Sequence, residues 1–144
     1  MWPVTSERPR VVVGVDGSPS ATAALEWAAR YAELTGAEVE AVTCWHWPRA
    51  FGFPLQLADH TDPCKDAETV LAGVLERFKA EHGATSVTAH VVQGPAGPAL
   101  AQWAKGAALL VVGSRGHGQL AEMLLGSVGQ FCTAHASCPV VVVR

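Results

Sequence analysis

Short unbroken apolar runs alternate along this chain with longer stretches in which apolar residues recur every three or four positions. The first run is Arg10-Val11-Val12-Val13-Gly14-Val15-Asp16 and the last is Pro139-Val140-Val141-Val142-Val143. Unbroken β-branched runs of this kind suit parallel strands covered on both faces. Ala37–Trp45, Ser86–Val92 and Ala108–Val112 complete a set of five predicted strands.

The periodic stretches between them predict four helices. Ser18 as N-cap and Pro19 at the first helical position open one that runs to about Leu34, where Thr35-Gly36 ends it. Ala24, Trp27, Ala28 and Tyr31 share a stripe of that helix. Leu71, Val74, Leu75 and Phe78 mark a second helix, ending at His82-Gly83. The turn Gly94-Pro95-Ala96-Gly97-Pro98 delays a third, expected over roughly 98–105. A fourth is expected over roughly 118–135, with Leu120, Met123, Leu124, Val128, Phe131 and Cys132 on one face. Residues 46–63, which hold Pro48, Pro54 and Pro63, read as a loop. Strict alternation of strand and helix predicts a three-layer α/β/α fold on an open five-stranded parallel sheet, with right-handed crossovers.

A chain of 144 residues, 49% apolar and 16% charged, fits one domain over 1–144, with residues 1–9 as a tail. The formal charge of −3 and the scattered Lys and Arg residues predict no nucleic-acid partner. No apolar run is long enough for a bilayer and the start lacks a secretory core, so a cytoplasmic protein with no membrane partner is expected. Cys44, Cys64, Cys132 and Cys138 form no CxxC pair. Cys132-x2-His135-x2-Cys138 has a metal-like spacing, but Cys138 falls beyond the helix and Cys132 belongs to the core stripe.

The chemistry concentrates after the fourth strand. Leu109-Leu110-Val111-Val112 runs into Gly113-Ser114-Arg115-Gly116-His117-Gly118, and ten residues beyond Gly116 comes Gly126-Ser127-Val128. Bare backbone N–H groups and a hydroxyl near a helix N-terminus form an anion site. Glycine within a helix costs about 1 kcal/mol against Ala, so Gly126 inside the fourth helix implies close approach by a ligand. Ligands of open α/β sheets bind beyond the strand ends where strand order reverses. Asp16, at the end of the first strand, faces that crevice if the first and fourth strands are neighbours. Its partner is then a ribose hydroxyl or a divalent cation; otherwise it serves as an Asx-turn or cap. The pattern is neither a P-loop, since GxxxxGK[ST] is absent, nor a GxGxxG fingerprint. Gly113 and Gly116 taken alone also fit a tight strand–helix turn. The aromatic segments Trp45-His46-Trp47 and Phe51-Gly52-Phe53 cover either a base, a partner surface or the loop itself.

Over essentially its whole length the chain resembles the universal stress proteins, from Val11-Val12-Val13-Gly14-Val15-Asp16-Gly17-Ser18 to the closing Val140–Val143 run. Val111-Val112-Gly113-Ser114-Arg115-Gly116 with Leu124-Leu125-Gly126-Ser127-Val128 is similar to the signature of that family's ATP-binding branch. The resemblance implies strand order 3-2-1-4-5 in a Rossmann-like, adenine-nucleotide α-hydrolase-like fold. It implies ATP, with Mg²⁺, held at the ends of strands one and four, and a homodimer through the last strand. By position, Gly113, Arg115, Gly116, His117, Gly118, Gly126, Ser127 and Val128 would surround the phosphates and ribose. Val15 and Asp16 would line the nucleotide, with Asp16 near the ribose or metal, and Cys44 would offer its backbone to adenine. Two positions depart from the family pattern: Ala108 stands where Asp is common, and His117 where some members carry a basic residue. The expected function is a non-catalytic, ATP-binding stress-response module. A slow ATP hydrolase or nucleotidyl transferase, and a nucleotide-free dimeric interaction module, are the competing classes.

Overall fold

A computed structural model of the chain describes residues 8–50, 53–54, 61–83, 85–115 and 125–144. Strands β1 (Arg10–Gly14), β2 (Glu38–Trp45), β5 (Val87–Gln93), β6 (Leu109–Gly113) and β7 (Val140–Val143) form one parallel sheet in the order β5-β2-β1-β6-β7. Counting only these five, the order is 3-2-1-4-5, and β1 lies between β2 and β6 as the switch point requires. Helices α1 (Pro19–Thr35), α2 (Pro63–His82), α3 (Ala96–Trp103) and α4 (Ser127–His135) complete the three layers.

The strand alternation sorts the core into two halves. Val11, Val13, Val39, Ala41 and Val111 point to the α1/α2 face and pack with Ala24, Leu25, Ala28, Leu71, Val74 and Phe78. Val12, Val42, Leu110 and Val112 point to the α3/α4 face and pack with Leu100, Ala104 and Cys132. Leu25 and Leu110 are fully buried, one in each half. Removing such a side chain from water contributes about 1.5–3 kcal/mol.

Local signals read from the sequence hold where capping chemistry is explicit. The Ser18 side chain accepts the Ala21 N–H (3.2 Å), and Gly36 closes α1 at φ 76° with its N–H donating to Ala32 O (2.8 Å). Elsewhere the boundaries move. The first strand stops at Gly14 rather than Asp16, although the Val15 N–H still donates to Val42 O (2.8 Å). The expected tail is engaged by its last residue, since Pro9 O accepts the Glu38 N–H (2.8 Å). The loop after β2 carries a small antiparallel hairpin, β3 (Arg49–Ala50) with β4 (Phe53–Pro54). Helix α2 starts at Pro63, because Asp62 caps the Lys65 N–H (3.1 Å). Helix α3 starts at Ala96, two residues earlier than expected, because Pro98 lies within its first turn, where a missing N–H is tolerated.

The largest correction concerns the fourth helix. It begins only at Ser127, and Gly126 is its N-cap in an extended conformation (φ −71°, ψ 169°). The Gly126 N–H donates to Ser114 O (2.6 Å) rather than to a preceding helical turn. Gly126 therefore carries no mid-helix penalty, and the inference drawn from that penalty falls. Residues 116–124, the earlier part of the expected helix, lie outside the described residues.

Candidate functional site

Two backbone turns meet beyond the carboxyl ends of β1 and β6. After β1, Asp16 Oδ1 accepts the Ser18 N–H (2.9 Å) and Gly17 turns the chain at φ 83° into α1. This is the Asx-turn among the roles open to Asp16, and it fixes where the carboxylate sits. After β6, the Ser114 N–H donates to Val143 O (2.8 Å) and Ser114 O accepts the Gly126 N–H. Ser114 thereby ties β6, β7 and the start of α4 together. The Arg115 N–H reaches across to Ser20 Oγ (3.3 Å) in the first turn of α1.

Between these turns lies a cleft open to solvent. Val42, Leu100, Val112 and Val128 supply apolar wall, and Asp16, Arg115 and Ser127 supply polar groups. A mostly apolar cleft with a few convergent polar groups is the usual form of a small-molecule site. The N-terminus of α4 opens on it. Among the described residues no side chain caps that end, and Ser127, Val128 and Gly129 of its first turn all line the cleft.

Of the expected site residues, Val15, Asp16, Cys44, Gly113, Arg115, Gly126, Ser127 and Val128 come together on this one cleft. Gly116, His117 and Gly118 lie outside the described residues. Other lining residues went unnoticed in the sequence: Gly14, Val42, Leu100, Val112 and Gly129 among them. The missed strand positions were legible in principle. Gly14 and Val112 are the last residues of their strands facing α3, and Val42 sits beside Gly14 in register.

The glycines have separable reasons. A Cβ on Gly113 would lie 2.4 Å from Ser20 Oγ, 2.7 Å from Ser20 C and 2.8 Å from Ser20 O. Gly113 is thus small so that α1 can press against the end of β6, a packing demand. A Cβ on Gly14 would lie 2.8 Å from Leu100 Cδ1, so that residue lets α3 close one side of the cleft.

Cys44 is half-buried on the cleft wall. Burial, with a smaller contribution from the neighbouring Cys132 thiol, pushes its pKa up to about 11. Cys132 is buried and is raised to about 11 by the same main cause, with Cys138 contributing. Its Sγ donates to Gly97 O (3.8 Å). His135 stacks on Phe131 at 4.3 Å between ring centroids, and among the described residues no metal-ligand cluster forms from Cys132, His135 and Cys138.

The comparisons with known proteins match this geometry. Universal stress protein Rv2623 of Mycobacterium tuberculosis is 34% identical over 142 residues, covering 93% of this chain and 47% of the relative. The chain thus spans about half the length of the curated relatives it matches. A universal stress protein solved in complex with cAMP superposes with a TM-score of 0.68 at 28% identity, covering 96% of this chain and 98% of that one. The universal stress protein of Archaeoglobus fulgidus in complex with dAMP shares the fold, with a TM-score of 0.66, 22% identity and coverage of 97% and 100%. No helix among the described residues is long and apolar enough to cross a membrane. The universal stress protein family profile matches residues 7–144, and the chain belongs to the universal stress protein family.

Proposed function

We propose that this chain is a regulatory module that binds an adenine nucleotide, ATP with Mg²⁺, in the cleft between β1 and β6. The observation that carries the proposal is the cleft's make-up. It lies where the strand order reverses, joins an apolar interior to the first turn of α4, and has Asp16 on its wall. The solved relatives bearing cAMP and dAMP support the adenine nucleotide as the ligand class. In this reading Val42, Cys44, Leu100 and Val128 enclose the base. The N–H groups of Ser127 and Val128 and the Ser127 hydroxyl meet the phosphates. Asp16 is the carboxylate that would hold Mg²⁺, whose role when bound is to offset phosphate charge beside an acidic side chain. Gly116, His117 and Gly118 belong to the same proposed site by their position in the motif.

The module acts by occupancy. Nucleotide ties the β1 and β6 ends to α4, and a partner reads that state. Turnover well below the usual enzyme range of ~1–10³ s⁻¹ is expected. The unit is a homodimer paired through β7, an edge strand whose four valines are all half-buried. Pairing with a second copy satisfies the unpaired edge.

Isothermal titration with ATP, AMP and cAMP tests the proposal, alongside mass spectrometry of ligand released from freshly purified protein. Saturable binding that is lost in Gly126→Val is the expected result, and silence with every adenine nucleotide would overturn it. A strictly monomeric species at micromolar concentration in ultracentrifugation would overturn the dimer alone.

A further inference from the structure

Helix α3 supplies Ala96 and Leu100 to the wall of the cleft, yet little in its own sequence holds it. It is eight residues long, and helices shorter than about 12–15 residues are marginal by themselves. Gly97 within it adds backbone freedom. Among the described residues no side chain caps its N-terminus, and it closes at Ala104 (φ −78°) without a left-handed glycine. Where α3 lies is therefore set by what grips it from outside.

One grip is at the cleft end, where a Cβ on Gly97 would lie 2.9 Å from Phe131 Cβ, so that α3 and α4 touch closely. The other is at the opposite end of the sheet, where Arg10 opens β1. One terminal nitrogen of Arg10 donates to Trp103 O (3.1 Å) and the other to Lys105 O (3.3 Å), carbonyls at and just past the helix end that need partners. The same guanidinium meets Glu40 Oε1 through Nε (3.1 Å) and a terminal nitrogen (2.9 Å). Trp103 Nε1 donates to that oxygen as well (3.1 Å). Trp103 is thus bound at its carbonyl by Arg10 and at its indole by Glu40, and the His90 ring packs on it at 4.9 Å between centroids. The Glu40 side chain is 17% exposed, so these charge-assisted bonds are weakly screened. Arg10, Glu40 and Trp103 are not among the described residues that line the cleft. Leu100 stands one helical turn before Trp103, about 4.5 Å along the axis, and that turn carries a displacement of the clamped end to the cleft wall.

We propose that Arg10, Glu40 and Trp103 are positioning residues for ligand binding: clamped on the far end of α3, they set how closely Ala96 and Leu100 wall the cleft. The inference rests on the cleft being the nucleotide site, and it adds to the determinants of affinity three residues from the other end of the sheet.

Isothermal titration with AMP and with ATP, well below every melting temperature, separates positioning from plain stability. Arg10→Lys keeps the charge but cannot serve one carboxylate and two carbonyls at once, and Trp103→Phe removes the indole donor. Val74→Ala, on the buried face of α2, is the control, and its melting temperature should fall with affinity unchanged. Affinity is expected to drop at least about fivefold in both clamp variants, and Trp103→Phe carries the test if Arg10→Lys does not fold. Amide exchange in the nucleotide-free protein should quicken across α3 but not α1 in those variants. Unchanged affinity beside a lowered melting temperature, or unchanged exchange in α3, would overturn the inference. Silence of the wild type with both nucleotides is a different failure: it overturns the proposed role of the cleft, while quickened α3 exchange would still uphold the clamp.

Discussion

Gly113→Ala separates a packing role from a ligand role at the most recognisable position of the motif. The added methyl would meet Ser20 Oγ, C and O at 2.4, 2.7 and 2.8 Å. Ordinary carbon contacts lie at about 3.5–4.0 Å, so the first turn of α1 must retreat by about 1 Å. Two of the three obstructing atoms are backbone, and a side-chain rotation does not clear them. Overpacking of this kind destabilises by about 1–3 kcal/mol. Displacing Ser20 also strains its hydrogen bond from the Arg115 N–H (3.3 Å), worth about 0.5–1.5 kcal/mol. The opposing gain from a less flexible unfolded chain is about 0.4–1 kcal/mol, so destabilisation wins, by about 2–3 kcal/mol net. For a domain of this size that lowers the melting temperature by roughly 5–10 °C. Circular dichroism through a thermal ramp and a urea titration measures both quantities. Gly14→Ala is the control, because its Cβ is crowded only by the end of the Leu100 side chain, at 2.8 Å, with Val112 Cγ1 in ordinary contact at 3.7 Å, and a loss of about 1 kcal/mol is expected. Were Gly113 small only to admit a phosphate, Gly113→Ala would melt at or above the wild-type temperature while losing nucleotide. That result would refute the packing account.

Three further outcomes follow from other parts of the fold. Gly73 sits in mid-α2 with nothing within 4 Å of its would-be Cβ, so Gly73→Ala should stabilise by about 0.5–1 kcal/mol in urea melts. Arg10 donates to Glu40 Oε1 through Nε (3.1 Å) and a terminal nitrogen (2.9 Å), and Trp103 Nε1 donates to the same oxygen (3.1 Å). Burial alone would raise the Glu40 pKa. These hydrogen bonds, with the Arg10 and His90 charges, outweigh it and hold the group below 4.5. The associated stability is present above pH 4.5 and is lost as pH falls further. Arg10→Ala should cost about 1.5–3 kcal/mol at neutral pH and flatten the acid limb of a stability-against-pH curve. At the other end of the scale, Cys44 and Cys132 rise from 9.0 to about 11 because burial disfavours the thiolate. The folded state then holds protons that the unfolded chain releases, so stability falls as pH climbs from 9 towards 11. Cys132→Ala should remove part of that alkaline slope in denaturant melts at stepped pH.

The parallel sheet and the layers were legible because unbroken valine runs and amphipathic helices each report a single physical variable, burial on two faces or on one; the strand order came from the resemblance to the universal stress proteins. Caps written in side chains, such as Ser18, were legible too. Boundaries set by longer-range geometry were not. Nothing local distinguishes Leu125-Gly126-Ser127 as a helix entry rather than a helix interior, since the deciding bond runs from the Gly126 N–H to Ser114 O. Nor does spacing reveal that Leu100 faces Gly14, a contact made only when α3 folds over β1.

These long-range contacts change what the glycine motif encodes. Gly113 is small for Ser20, Gly14 for Leu100, and Gly126 caps α4 while its N–H anchors that helix to Ser114. Asp16 uses one carboxylate oxygen to shape the turn into α1. Each of these four residues lines the cleft and also fixes one of the elements that bound it, so they specify first the approach of α1, α3 and α4 to the strand ends, and only through that approach a cavity for a ligand. A substitution that spares the cleft surface but shifts one of these helices should therefore impair binding as much as one made within the cleft. Stability and ligand affinity should then fall together across such a series, whereas a site whose glycines served only the ligand would show the two varying independently.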